Sequence, residues 1–315
     1  MKAIVLSEPG APQQLKFEER PIPQAGPTTS VVEVKAFGLN HAESITRQGG
    51  SSSVQLPRVI GIELVGVIHA TNAPAFEVGQ PVYSFQGGLG REIDGSYQEF
   101  VAVPNDNLYP LPQGMGTDWT QLATIPQSGY TAFGSMKVAR VQAGDRVLLR
   151  GGTTTVGIAA IKLLQAMHIQ VAATTRRPEH LAFISQLGAQ AILDQQGVLQ
   201  TKDQFDGIID LVGVTTMPDT LKHIKVGGTV VETGELNDQW GNQFNIFDIP
   251  TGTYLTAFKS PDIETQWLTE MLNLIKTQRI TFPIGRRFDF QDIVQAHQLL
   301  DAGQSMGKIV IQVKP

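Results

Sequence analysis

Gly144-Asp145-Arg146-Val147-Leu148-Leu149-Arg150-Gly151-Gly152-Thr153-Thr154-Thr155-Val156-Gly157 is the stretch whose reading decides the fold. Arg146–Leu149 has the composition of a short buried strand. The Gly/Thr loop after it opens into Val156–Met167, where Ala160, Ile161, Leu164 and Met167 recur at three- and four-residue steps on one helical face. Such a turn aims the free N–H groups and the positive dipole end of the helix at whatever lies over the loop, which favours a pyrophosphate. A dinucleotide fingerprint carries Gly at three places; here Gly152 and Gly157 hold the outer two and Thr154 the middle one. Gly152, Thr153, Thr154, Thr155, Val156 and Gly157 are therefore the residues expected around the phosphates. Taken alone, the loop is also compatible with an ordinary strand-to-helix turn.

The next strand, Gln170–Ala173, says more. Its end reads Ala173-Thr174-Thr175-Arg176-Arg177, so Thr175 stands near the place where an NAD binder carries an acid for the ribose hydroxyls. Arg176 can offer a charge-assisted fork to a 2′-phosphate, with Arg177 beside it, which points to NADPH. The alternative is a solvated basic corner ahead of the helix that Pro178 opens.

Beyond this unit, strands are expected at Ala191–Asp194, Gly207–Val212, Thr229–Thr233 and Tyr254–Phe258, alternating with amphipathic stretches as in a parallel sheet with crossover helices. The first third has another texture. Short apolar runs at Ala3–Val5, Ser30–Val34, Val65–His69, Pro81–Ser84 and Glu99–Val103, punctuated by Gly and Pro, suggest a barrel-like β-rich domain. A helix over Asp262–Thr277 leads into Ile280–Pro283, a helix with Val294, Leu299 and Leu300, and a closing strand Lys308–Val313 that looks as though it returns to the first domain. The expected domains are 1–122, 123–262 and a return segment 263–315. Gly49–Ser53 and Gln86–Gly90 read as mobile loops.

Composition excludes several functions. With 24 basic against 29 acidic residues and no basic block longer than Arg176-Arg177, the chain has no electrostatic footprint for nucleic acid or anionic membrane. It has no cysteine, so no disulfide, no Cys-ligated zinc and no thiol nucleophile. Neither a signal peptide nor a run of the roughly 20 apolar residues of a membrane helix is legible, and the expected location is cytoplasmic.

Taken in order, Gly38-Leu39-Asn40, Gly61-Ile62-Glu63-Leu64-Val65-Gly66-Val67, Gly79-Gln80-Pro81-Val82, Gly129-Tyr130-Thr131-Ala132, Gly227-Gly228-Thr229 through Gly234, and Gly307-Lys308-Ile309-Val310 resemble the medium-chain dehydrogenase/reductase superfamily in its zinc-free quinone oxidoreductase branch. The resemblance covers essentially the whole chain. It implies an α/β protein: a GroES-like β-rich catalytic domain built from both chain ends, with a Rossmann nucleotide-binding domain between them and the active site in the cleft. It also implies NADPH as hydride donor and a homodimer meeting along a sheet edge, here Tyr254–Phe258.

Zinc-dependent members carry Cys where this chain has Asn40 and His where it has Ile62, so no zinc is expected. Glu63 is expected to be structural, holding a loop or pairing with a basic residue. Without a Lewis acid, the chemistry suits acceptors that are already electrophilic, quinones and α,β-unsaturated carbonyls. Many relatives have a tyrosine where this chain has Ile45, so the resemblance assigns no proton donor. Tyr130 is the nearest substitute, with packing at the start of a helix as its alternative role, and solvent is the expected proton source. Asn40, Ile45, Ile62, Tyr130 and Phe258 are the expected pocket wall. Asn40, Thr131 and Gly234-Glu235-Leu236 are expected near the nicotinamide. The rival reading is an NADPH-binding sensor or structural protein with little turnover.

Overall fold

Runs of β-branched and aromatic residues cut by Gly and Pro become strands where one or both faces can be buried. The structure is a computed structural model and describes residues 1–236 and 245–313. In chain order its first part holds β1 (Lys2–Leu6), β2 (Leu15–Glu19), β3 (Thr29–Gly38), α1 (His41–Arg47), β4 (Glu63–Ala70), β5 (Pro81–Phe85), β6 (Phe100–Pro104), β7 (Tyr109–Pro110) and α2 (Trp119–Leu122). The middle holds α3 (Pro126–Ala139), β8 (Arg146–Arg150), α4 (Thr155–Ala166), β9 (Gln170–Thr175), α5 (Leu181–Gln186), β10 (Gln190–Gln195), β11 (Val198–Leu199), β12 (Phe205–Asp210), α6 (Met217–Thr220), β13 (Ile224–Glu232), β14 (Tyr254–Ala257) and α7 (Thr265–Thr277). The last part holds β15 (Ile284–Asp289), α8 (Ile293–Ala302) and β16 (Lys308–Gln312).

Residues 1–127 and 283–315 form one compact unit and residues 128–282 a second. The return to the first unit thus comes about 20 residues later than the expected boundary at 262/263. The reason is α7. Leu268, Met271, Leu272 and Ile275 bury one face of it, and it packs on α4 of the second unit.

In the first unit the strands run β15-β16-β3-β4-β5-β7, with β6 on the other stretch of β3 and β1-β2 as a separate pair. Ile4, Val32, Phe37, Leu64, Val82 and Ile311 belong to one buried cluster. This is the GroES-like β-rich fold. The C-terminal strand β16 lies antiparallel to β3, Val310 opposite Gly38, so residues distant in sequence meet at the end of β3.

In the second unit the order is β11-β10-β9-β8-β12-β13-β14, parallel from β10 to β14 with β11 turned back antiparallel. The chain leaves β8 toward β9 on one side and returns to β12 on the other. The carboxyl ends of β8 and β12 therefore flank the topological switch point, where α/β sheets bind ligands. Leu148, Ile208 and Val230 bury one face of this Rossmann-type sheet, and α4 packs on β8 and β9.

After α7, Ile280–Pro283 leads into the strand that starts at Ile284 and pairs with β16. One expected feature differs in character. Gln86–Gly90 is anchored rather than loose: Gln86 Nε2 donates to Gln127 Oε1 at 2.9 Å, Asn107 Nδ2 donates to Gln86 O at 3.2 Å, and Leu89 is buried.

Candidate functional site

Thr154 explains how the loop works without its middle glycine. Its φ of −74° and ψ of 161° suit any residue, and its Oγ1 accepts from Gly157 N at 2.9 Å while donating to Gly151 O at 2.9 Å. It is the N-cap of α4. The Thr155 and Val156 N–H groups, in the first turn, have no intrahelical acceptor and remain for an anion. The outer glycines are needed for close approach. A Cβ at Gly157 would lie 2.5 Å from Gly151 O, and one at Gly152 would lie 2.6 Å from Ala173 Cβ on β9.

At the carboxyl end of β9, Thr175 is buried and its Oγ1 accepts from Arg177 N at 3.1 Å, so it shapes the corner that carries the two arginines. Arg176 and Arg177 are exposed, and neither has an ion pair among the described residues. Sequence reasoning missed the row beside this corner. Arg150, Asp210 and Glu232 end β8, β12 and β13 in register. The Arg150 guanidinium, fully buried, donates to Asp194 Oδ2 at 2.9 Å, Thr220 Oγ1 at 2.7 Å and Gly197 O at 2.7 Å. Asp210 accepts from Val212 N at 2.8 Å and Thr220 Oγ1 at 2.6 Å. Burial raises its pKa above the ordinary carboxylate range despite these bonds.

The first unit carries a separate buried cluster. Glu63 Oε1 lies 2.6 Å from Lys308 Nζ and accepts from Asn40 Nδ2 at 2.8 Å, while Glu63 Oε2 accepts from Gln127 N at 2.9 Å. Lys308 Nζ also donates to Asn40 Oδ1 at 2.6 Å. Glu63 thus has the basic partner expected of it. Gly38 makes the approach feasible, because a Cβ there would run into Lys308 Cε and lie 2.7 Å from Glu63 Oε1. Glu43 Oε2 accepts from Asn40 N at 2.9 Å and its Oε1 from Ile62 N at 3.1 Å. Its carboxyl is pushed up to about 7, first by burial and then by Glu63, against the pull of Lys308. Behind α1, Arg47 Nε donates to His297 Nδ1 at 3.3 Å and Tyr97 Oη lies 2.9 Å from His297 Nε2, which assigns the imidazole proton to Nε2. Burial, then Arg47, lowers His297 to about 3, so it is neutral.

Other expected site residues take structural roles. Tyr130 is buried, donates its hydroxyl hydrogen to Asp262 O at 2.9 Å and accepts from Glu264 N at 2.7 Å, so it ties down the entry to α7. This tie also explains why α7 starts at Thr265 rather than near Asp262. Phe258 is buried: it fills the space a Cβ at Gly134 would need and stacks obliquely on Tyr130 and Trp267 at 5.9 and 6.4 Å. Thr131 is buried on α3, and Ser135 Oγ donates to its carbonyl at 2.7 Å. Ile62 is buried and Ile45 half-buried, in van der Waals reach of Gly50. The Asn40 amide is spent inside the cluster. Gly234–Leu236 follows β13, with Leu236 partly exposed above Gly151.

A β-rich unit closed by its own C-terminus and a six-strand parallel stack with a capped glycine-rich turn define a two-domain dehydrogenase architecture. Residues 26–113 match the alcohol dehydrogenase GroES-like domain family, and residues 187–311 match the zinc-binding dehydrogenase family. The quinone oxidoreductase of Rattus norvegicus is 26% identical over 99% of this chain and 97% of its own length. An acryloyl-coenzyme A reductase of Sulfurisphaera tokodaii is 27% identical over 99% of this chain and 100% of its own. The structure of the yhdH oxidoreductase from Salmonella enterica, in complex with NADP, superposes with a TM-score of 0.86 at 21% identity, covering all of both chains. The chain belongs to the medium-chain dehydrogenase/reductase superfamily, in its quinone oxidoreductase branch. It is an oxidoreductase of that family.

Proposed function

We propose that this protein binds NADPH and reduces a quinone or an α,β-unsaturated carbonyl without zinc. The observation that carries the reading is the corner after β9. There Thr175 replaces an acid, and Arg176 and Arg177 stand exposed and unpaired among the described residues, one strand away from the capped N-terminus of α4. Two guanidinium forks suit a 2′-phosphate, the Thr155 and Val156 N–H groups suit the pyrophosphate, and NADPH supplies a hydride when bound. A similar structure that holds NADP supports the cofactor.

The donor set supports zinc independence. Asn40 and Ile62 supply no thiolate or imidazole, and the Lys308 ammonium bonded to Asn40 Oδ1 at 2.6 Å already places a positive charge beside that position. Among the described residues no group of His, Cys, Asp and Glu is arranged to hold a metal. The residues present therefore do not fit the metal that the family's name implies. An acceptor conjugated enough to be electrophilic on its own fits such a site, and relatives named for quinones and for acryloyl-coenzyme A support that class. With the Tyr130 hydroxyl and Asn40 amide engaged, solvent is the proton source for the resonance-stabilised anion. A homodimer is part of the same reading. Among the described residues β14 ends the sheet, Tyr254 on it is 53% exposed, and an edge strand of this kind invites pairing.

The test is titration with NADPH and NADH, followed by nicotinamide absorbance after adding 1,4-benzoquinone, 9,10-phenanthrenequinone or a simple enone, with a protein-free control. NADPH binding with oxidation above the control is expected. Binding without oxidation of any acceptor would favour the sensor reading, and binding of neither nucleotide would overturn the site.

A further inference from the structure

Among the described residues of the second unit, Glu232 is the one side chain with both carboxyl oxygens buried and without a side-chain partner. It ends β13, in register with Asp210 on β12, and the two side chains emerge next to each other on the sheet face that Ile208 and Val230 bury. Arg150, the cation next along the row, is spent on Asp194, Gly197 and Thr220, and Asp210 is spent on its own turn and Thr220. Both Glu232 carboxyl oxygens are sealed from water, and among the described residues neither has a side-chain donor; the backbone N–H of Gly234 is the one group that lowers its pKa. Glu235, three residues on, also has an orphaned Oε2. Buried polar groups are nearly always paired, so an orphan of this kind asks for a missing partner. Burial, then the charges of Asp210 and Glu235, pushes Glu232 up to about 9, so it is a neutral acid at pH 7.

A neutral carboxylic acid presents a donor and an acceptor on adjacent atoms, which is the complement of a primary carboxamide. The strand order supplies the place. A dinucleotide whose 2′-phosphate meets Arg176 after β9, and whose pyrophosphate lies over the loop after β8, continues across β12 toward β13. Its nicotinamide end then reaches the row in which Glu232 stands. The turn at Gly234–Leu236, which follows β13 directly, lies over Leu211 and Gly151 beside that row.

We propose that the Glu232 carboxyl pairs with the carboxamide of the nicotinamide ring and so positions it, a role that rests on the dinucleotide reading above. The test compares NADPH with 2′,5′-ADP, which has the phosphorylated adenosine half and no nicotinamide, by calorimetric titration at pH 7. Glu232→Leu, which removes an unpaired buried acid and should fold at least as well, is expected to bind NADPH about tenfold more weakly and 2′,5′-ADP unchanged. Glu232→Gln keeps a donor and an acceptor and is expected to restore NADPH affinity. Unchanged NADPH affinity in Glu232→Leu, or equal loss for both ligands, would overturn the assignment while leaving the dinucleotide site standing. Failure of the wild-type protein to bind either ligand would remove the dinucleotide reading and this role with it.

Discussion

Lys308→Met tests whether the first unit is organised around one buried ammonium. The substitution keeps the apolar stem of the side chain and removes a charge that lies 2.6 Å from Glu63 Oε1 and 2.6 Å from Asn40 Oδ1, with Lys308 and Glu63 both almost fully buried. Glu63 would keep its bonds from Gln127 N and Asn40 Nδ2, which orient the carboxylate but do not neutralise it. Removing one partner of a buried pair typically costs about 3–5 kcal/mol, because the other charge stays where water cannot reach it. At roughly 2–4 °C per kcal/mol for a unit of this size, the expected drop in Tm is roughly 6 °C or more. Urea denaturation of the single variants Lys308→Met and Glu63→Gln and of the double variant closes the cycle. The double variant should lose clearly less than the sum of the singles, since it leaves no orphaned charge. The cost of Lys308→Met should also shrink as pH falls below about 7, where Glu43 takes a proton and no longer draws on the same ammonium. A loss under about 1 kcal/mol, or strict additivity in the cycle, would refute the reasoning.

Two further outcomes are expected. Arg176→Ala with Arg177→Ala should weaken NADPH binding far more than NADH binding, by several kcal/mol at most, in a fluorescence titration; equal losses would remove the 2′-phosphate assignment. The buried pair of Glu43 and His297 should give the first unit opposite pH slopes. Glu43 has a folded pKa of about 7, above its ordinary 4.5, so its contribution is present in full below pH 4.5 and is lost as pH rises through 7, on the order of 3 kcal/mol. Glu43→Gln should flatten stability between pH 5 and 8. His297, lowered from 6.5 to about 3, favours the fold above pH 6.5 and loses that contribution as pH falls through 3. His297→Gln should therefore reduce acid sensitivity, and urea midpoints across pH that keep the wild-type slopes in both variants would contradict both assignments.

Local periodicity carried the parallel unit. β8, α4, β9, β10, β12, β13 and β14 all lie where the alternation of apolar runs placed them, because buried parallel strands read as continuous β-branched segments. It did not carry β2, Leu15-Lys16-Phe17-Glu18-Glu19, of which only Leu15 is buried. That strand exists because β1 offers it a partner, and nothing in its own sequence signals a core face. The two-residue strand β11 escaped for another reason: Gln196 and Gly197, both at positive φ, turn the chain back on β10, a tight hairpin too short for a periodic signal.

The composition of the phosphate loop, the arginines after β9 and the absence of Cys at position 40 were legible from the chain alone, because each is a statement about which atoms are present at a given spacing. Their partners were not. Lys308 meets Asn40 across 268 positions because β16 pairs with β3. The Tyr130 hydroxyl, a plausible acid by residue type, is consumed by Asp262 and Glu264. Glu232 becomes a neutral acid only because its strand ends beside Asp210 in a place without water. Sequence determines which groups can donate, accept or carry charge; only the tertiary structure decides which of them are already satisfied, since burial and pairing belong to the folded neighbourhood and not to the residue.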